Sequence, residues 1–257
     1  MIYQAKSYIQ FLRKSKNQHG IHSPFVYDFA TKCLYNKTKF DSYALLKRFR
    51  KDLAKNKETI VVEDFGKGSR VFTSNHRKVS KIAKNAGIRK KRQKMLFRIS
   101  NYFQPKETLE LGTSLGLATV ALALGNTGGQ VTTIEGCPNT AKKAKAQWEK
   151  FQLKNILLQQ TTFEGFFEKD TSHKYDLIYV DGNHDKEKTL QYFQLLLKKV
   201  HNDSLIIFDD IYWSKEMTQA WQEIIKNDTV TVSIDTFYWG IVFFRREQRK
   251  QHFVLRV

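Results

Sequence analysis

Five acids stand at places where carboxylates can do chemistry. They are Glu110 in Glu110-Leu-Gly112, Glu135 ahead of Gly136, Asp181 in Asp181-Gly-Asn-His184, and the adjacent Asp209 and Asp210. Carboxylates of this kind accept hydrogen bonds from sugar hydroxyls or hold a hard cation, and a histidine beside them moves protons. Between the first two acids, Gly112, Thr113, Ser114 and Gly116 form a turn of small residues that would leave backbone N–H groups free at a helix N-terminus. Glu135 follows Gly112 by 23 residues, the spacing at which an acid takes the hydroxyls of a ribose. Turn and acid together read as a nucleoside site.

The elements that must position these groups follow from the apolar pattern. Short apolar runs at 109–111, 131–134, 155–159, 175–180, 204–208, 230–235 and 241–244 predict seven strands. Helical stripes lie between most of them: Ala141, Ala144, Trp148 and Phe151 after Pro138; Leu190, Phe193, Leu196 and Leu197; and Met217, Ala220, Trp221, Ile224 and Ile225. Alternating strands and helices, with strands apolar throughout, predict an α/β fold with a doubly wound, mostly parallel seven-stranded sheet. Ligands bind at the carboxyl ends of such strands, where the acids fall. The last two runs suggest a hairpin-like pair at a sheet edge.

Ahead of residue 92 the chain reads as a helical, basic region (1–91) in front of a catalytic domain (92–257). The first hundred residues hold 25 Lys and Arg against 6 Asp and Glu, while the remainder holds 19 of each. The excess predicts attraction to something anionic, against the simpler account of a solvated basic face. Residues 1–16 suit a helix with Tyr8, Ile9 and Leu12 on one side and Lys6, Arg13, Lys14 and Lys16 around it. Such a helix fits an anionic membrane surface, although an arm packed on the core is the simpler reading. Ser23 and Pro24 open a second helix with Val26, Phe29, Ala30, Cys33 and Leu34 inside. His19 and His22 read as loop or substrate-facing residues, and Glu63 to Arg70 as an active-site loop, an anion cradle or a plain glycine-containing turn. Cys33 and Cys137 stand far apart with no clustering, which speaks against a disulfide framework or zinc site. With no long apolar run and no signal-like start, the expected location is cytoplasmic.

Four stretches resemble the class I S-adenosylmethionine-dependent methyltransferases, especially metal-dependent O-methyltransferases of the catechol, caffeoyl-CoA and antibiotic-sugar types. They are ELGTSLG, TIEGCP, YDLIYVDGNH and LIIFDDIYW. The resemblance implies S-adenosyl-L-methionine as cofactor, held by Glu110, Gly112, Thr113, Ser114, Gly116, Glu135, Gly136 and Asp181. It also implies Mg²⁺ on Asp181, Asp209 and Asp210, which makes Asp181 a catalytic group; a base is still needed for the hydroxyl proton, and His184 or Asp185 is nearest in sequence to that site. The chain departs from the pattern after its third strand, where LLQQTTFEG offers no clear acid for the adenine, and it has no evident lysine base near Asp181. The expected reaction is methyl transfer to a hydroxyl of a small or anionic substrate. RNA methylation through the basic region, or a non-catalytic protein that binds an anion or membrane, are the alternatives. A nicotinamide dehydrogenase fits worst, because the full GxGxxG is missing. A homodimer is compatible with all of these.

Overall fold

The structure is a computed structural model that describes residues 2–63, 74–169 and 172–257. Of the expected loop or anion cradle at 63–70, residues 64–70 lie outside these residues. The chain forms two compact units, Asn36–Thr171 and Met1–Tyr35 with Ser172–Val257. The helical stretch ahead of residue 92 is therefore divided between them.

In chain order the N-terminal part of the unit Met1–Tyr35 with Ser172–Val257 holds α1 (Ile2–Lys14) and α2 (Pro24–Phe29). Ser23 caps α2 by accepting from the Val26 N–H at 3.4 Å, and Pro24 fits the first turn, as its sequence requires. A single π turn, Ala30–Leu34, continues the same buried stripe.

The Asn36–Thr171 unit begins with α3 (Ser42–Lys55), whose Leu46, Phe49 and Leu53 are buried at helical spacing. A small antiparallel pair follows, β1 (Thr59–Val61) with β2 (His76–Lys78), then α4 (Val79–Asn85) and α5 (Lys90–Phe103). The basic run His76-Arg77-Lys78 carries no apolar alternation, so β2 has no signal in the sequence. β3 (Glu107–Leu111), α6 (Thr119–Gly125), β4 (Gln130–Glu135), α7 (Pro138–Lys150), β5 (Ile156–Gln160) and α8 (Phe163–Lys169) complete the unit. β3, β4 and β5 run parallel, in register Leu111 to Ile134 and Ile134 to Gln159.

The other unit continues with β6 (Leu177–Val180), α9 (Lys186–Leu197), β7 (Leu205–Asp209), α10 (Lys215–Lys226), β8 (Val232–Asp235), β9 (Trp239–Phe243) and β10 (Gln251–Val254). β6 and β7 are parallel, β9 is antiparallel to both β7 and β8, and β10 is parallel to β8. The hairpin of β8 and β9 is as expected, but β10 covers its outer side and adds an eighth strand to the expected seven. α10 is capped by Ser214 and buries Met217, Ala220, Trp221 and Ile224. A Cβ on Gly240 would lie 2.5 Å from the Trp221 ring, so only glycine lets α10 sit this close to β9.

Eight mostly parallel strands with helices between them give the doubly wound α/β fold. No helix among the described residues is long and apolar enough to cross a membrane.

Candidate functional site

The glycine turn after β3 is built from backbone that side chains resist. Gly112 has φ 103°, Ser114 49° and Gly116 75°, all in the left-handed region. At Gly116 an added Cβ would also stand 3.2 Å from the buried Trp148 ring on α7. The N–H groups of Gly112 and Thr113 both donate to the Ile134 carbonyl, at 3.1 and 3.2 Å, tying the turn to β4.

Glu135 closes β4, and its carboxylate is held from two sides. Oε2 accepts from the Ser114 N–H and Oε1 from the Cys137 N–H, each at 2.9 Å. Gly136 lies inside this second loop. A carboxylate has about four acceptor sites, and two fixed N–H donors orient the group. The spacing read from the sequence thus corresponds to a direct contact between turn and acid.

Glu110 has a different place. It is fully buried within β3, and its Oε2 accepts from the hydroxyls of Thr119 and Thr133, the latter at 2.6 Å. Burial pushes its carboxyl up to about 8, against the opposing effect of the two hydroxyl bonds, with a smaller push from Glu135. Thr113 is also buried and shares a 2.6 Å hydroxyl contact with Thr133. Glu110 and Thr113 thus sit in the buried network under the turn, with Glu135 at its rim.

In the other unit, the carboxyl ends of β6 and β7 bring four of the expected residues together. The Tyr179 hydroxyl lies 3.0 Å from Asp209 Oδ2 and 3.4 Å from Asp181 Oδ2. Asp209 is buried, and its Oδ1 accepts from the Asp210 N–H at 2.9 Å. Asp210 has φ 52°, Asn183 64° and His184 40°. Left-handed conformations clustered at two adjacent strand ends are the kind of stored strain found at functional sites. The His184 ring stacks on Trp213 at 5.1 Å between centroids. Asp185 caps α9 through the Lys188 N–H, a structural task for the acid next to His184.

The expected three-carboxylate ion cage finds a different arrangement. Both oxygens of Asp209 receive hydrogen-bond donors, and a tyrosine hydroxyl lies within reach of the Asp181 and Asp209 carboxylates. Among the described residues, no group of three His, Cys, Asp or Glu side chains is arranged to hold a metal.

Sequence reasoning missed Tyr179, which looked like one more apolar strand position, and the pair formed by Tyr212 and Asp235. The Tyr212 hydroxyl donates to Asp235 Oδ2 at 2.7 Å while its ring stacks on Phe237 at 4.9 Å. Burial raises both groups above their ordinary range, and the Asp235 charge adds to the effect on Tyr212. The phenol of Tyr212 in Tyr212-Trp213 was the available signal.

Residues 109–211 match the profile of a family described as a methyltransferase domain. The likeness to a methyltransferase domain lies in this stretch. The stretch carries the glycine turn, Glu135, and the ends of β6 and β7. Among curated proteins none matches the chain. Solved structures similar to it include an O-methyltransferase from Bacillus cereus in complex with SAH, 17% identical, covering 83% of this chain and 98% of that one with a TM-score of 0.53. The SAH-bound Podospora anserina methyltransferase PaMTH1 is 13% identical, with coverage of 82% and 99% and a TM-score of 0.57. The O-methyltransferase TomG from Streptomyces achromogenes, involved in tomaymycin synthesis and solved with SAM, is 12% identical, with coverage of 81% and 91% and a TM-score of 0.56. At these identities the likeness establishes the fold, the class I methyltransferase α/β fold.

Proposed function

We propose that the chain is an S-adenosylmethionine-dependent O-methyltransferase acting on a hydroxyl of a small or anionic substrate. The observation that carries this reading is Glu135, fixed by the N–H groups of Ser114 and Cys137 at the end of β4 within the methyltransferase domain. A ribose-binding acid held by the turn itself suits a nucleoside cofactor. The SAM- and SAH-bound O-methyltransferases of the same fold support the choice among nucleosides.

When bound, the cofactor supplies a sulfonium methyl group for in-line displacement, forming an oxygen–methyl bond as the sulfur–methyl bond breaks. Glu135 accepts the ribose hydroxyls, and the narrow glycine turn excludes side chains from the cofactor's path. His184 takes the acceptor's hydroxyl proton, its ring oriented by Trp213. Asp181 and Asp209 share the Tyr179 hydroxyl and keep the β6 and β7 ends in register. Among the described residues no three carboxylates are arranged to hold a metal, and this reading assigns no step to one.

Calorimetry with S-adenosylhomocysteine, together with transfer of labelled methyl groups to a panel of hydroxyl and amine compounds, tests the reading. Binding that depends on Glu135 and labelling confined to hydroxyls is the expected result. Labelling of amines or of RNA instead would replace this acceptor class, and absence of cofactor binding would overturn the reading.

A further inference from the structure

The helix α1 turns the wrong face outward for an arm that only packs on its own chain. Its buried residues are Ser7 and Phe11, whereas Ile2 is 76% exposed, Ile9 52% and Tyr8 43%. Among the described residues, seven large apolar side chains stand exposed, and three of them belong to this helix. Ile2, Lys6, Ile9 and Arg13 follow one another at steps of four, three and four residues, which places two isoleucines and two cations along one outward strip. Lys14 and Lys16 follow, and no acid occurs before Asp28.

The helix is also held so that it cannot roll this strip inward. Phe11 packs on Phe237 at 5.5 Å and Tyr8 meets the same ring edge-on at 4.8 Å. Just past the helix, the Lys16 N–H donates to the Val254 carbonyl at 2.9 Å and the Arg256 N–H to the Lys16 carbonyl at 3.1 Å, joining the segment to the β10 end. Apolar side chains fixed outward, interleaved with cations and free of acids, suit an interface that is oily in one layer and anionic in the next.

We propose that α1 docks the protein on an anionic phospholipid surface, with Ile2 and Ile9 entering the acyl boundary and Lys6 and Arg13 meeting the headgroups. Tyr8 lies at the border, where an amphipathic ring is favoured. A second copy of the chain is a poorer occupant, because α1 against α1 brings Lys6 and Arg13 of both copies together. The inference is independent of the reaction assigned above.

Flotation of the full chain with phosphatidylcholine vesicles, with and without phosphatidylserine, decides it. Binding is expected only with phosphatidylserine, and added salt should release the protein. Lys6→Ala and Arg13→Ala should each weaken binding about fivefold, the value of one cation near such a surface. Ile2→Ser with Ile9→Ser should weaken it about tenfold or more, with helical content and S-adenosylhomocysteine affinity unchanged. Equal binding to neutral vesicles, or no binding to either, overturns the proposal. So does a dimer, seen by ultracentrifugation, that the isoleucine variant dissociates.

Discussion

The Tyr179 hydroxyl donates to Asp209 Oδ2 at 3.0 Å, so a side chain from the interior of β6 holds the acid that ends β7. Asp209 is only 5% exposed, and a buried carboxylate that loses a donor pays its desolvation cost. Tyr179→Phe should therefore lower stability by about 1–3 kcal/mol in urea unfolding. Turnover on any accepted hydroxyl compound should persist in EDTA. Loss of turnover in EDTA, restored by Mg²⁺, would show that Asp181, Asp209 and Asp210 form an ion site during the reaction.

Glu110 gives the fold a pH dependence of its own. Its carboxyl is pushed up to about 8 by burial, from an ordinary 4.5. A raised acid favours the folded state while protonated, so its contribution is complete below 4.5 and is lost as pH rises through about 8. Urea midpoints measured from pH 5 to pH 9 should fall by a few kcal/mol equivalent across that window. Glu110→Gln should flatten the curve, and an unchanged slope would mean that another group controls it.

Cofactor affinity should depend on Glu135 more than on its neighbours. Glu135→Ala removes the ribose acceptor and the anchor of the Ser114 and Cys137 N–H groups together. Its S-adenosylhomocysteine dissociation constant should rise roughly 10- to 100-fold, about 1.5 to 3 kcal/mol for a charged hydrogen-bonding group. Calorimetry that finds wild-type affinity would remove Glu135 from the cofactor site.

Proton transfer should fail first when His184 is replaced. His184→Gln keeps a polar side chain against Trp213 but removes the base. A fall in kcat of about 10²–10⁴ is expected, with little change in KM or cofactor binding. A variant with wild-type kcat would assign the base elsewhere.

Space at Gly240 should be as tight as the packing of Trp221 implies. Gly240→Ala places a methyl group 2.5 Å from that ring. Overpacking of this kind costs about 1–3 kcal/mol. Thermal or urea unfolding reads it directly, and a neutral result would show that α10 can shift away from β9.

Local chemistry made much of the protein legible in its residues. Ser23-Pro24 and Pro138 mark helix starts because caps and fixed φ angles act within one turn. The glycine turn and Glu135 were readable because a βα unit has a nearly constant length, and the acids at 181, 209 and 210 because parallel strands end where ligands bind. Non-local pairing decided the rest. β2 and β10 exist because partner strands accept them, although both are short and β2 is a basic run. Glu110 looked like a ligand and proved to be buried, since only the packing of Thr119 and Thr133 around it sets its solvation. Tyr179 is an apolar strand position by pattern, and the neighbouring strand's Asp209 gives its hydroxyl a task. Helical periodicity puts Tyr8, Ile9 and Leu12 of α1 on one side, but it cannot say which side faces the protein. Phe237 and the Lys16 bridge to β10 made that choice, because a helix face is inward only relative to what it packs on.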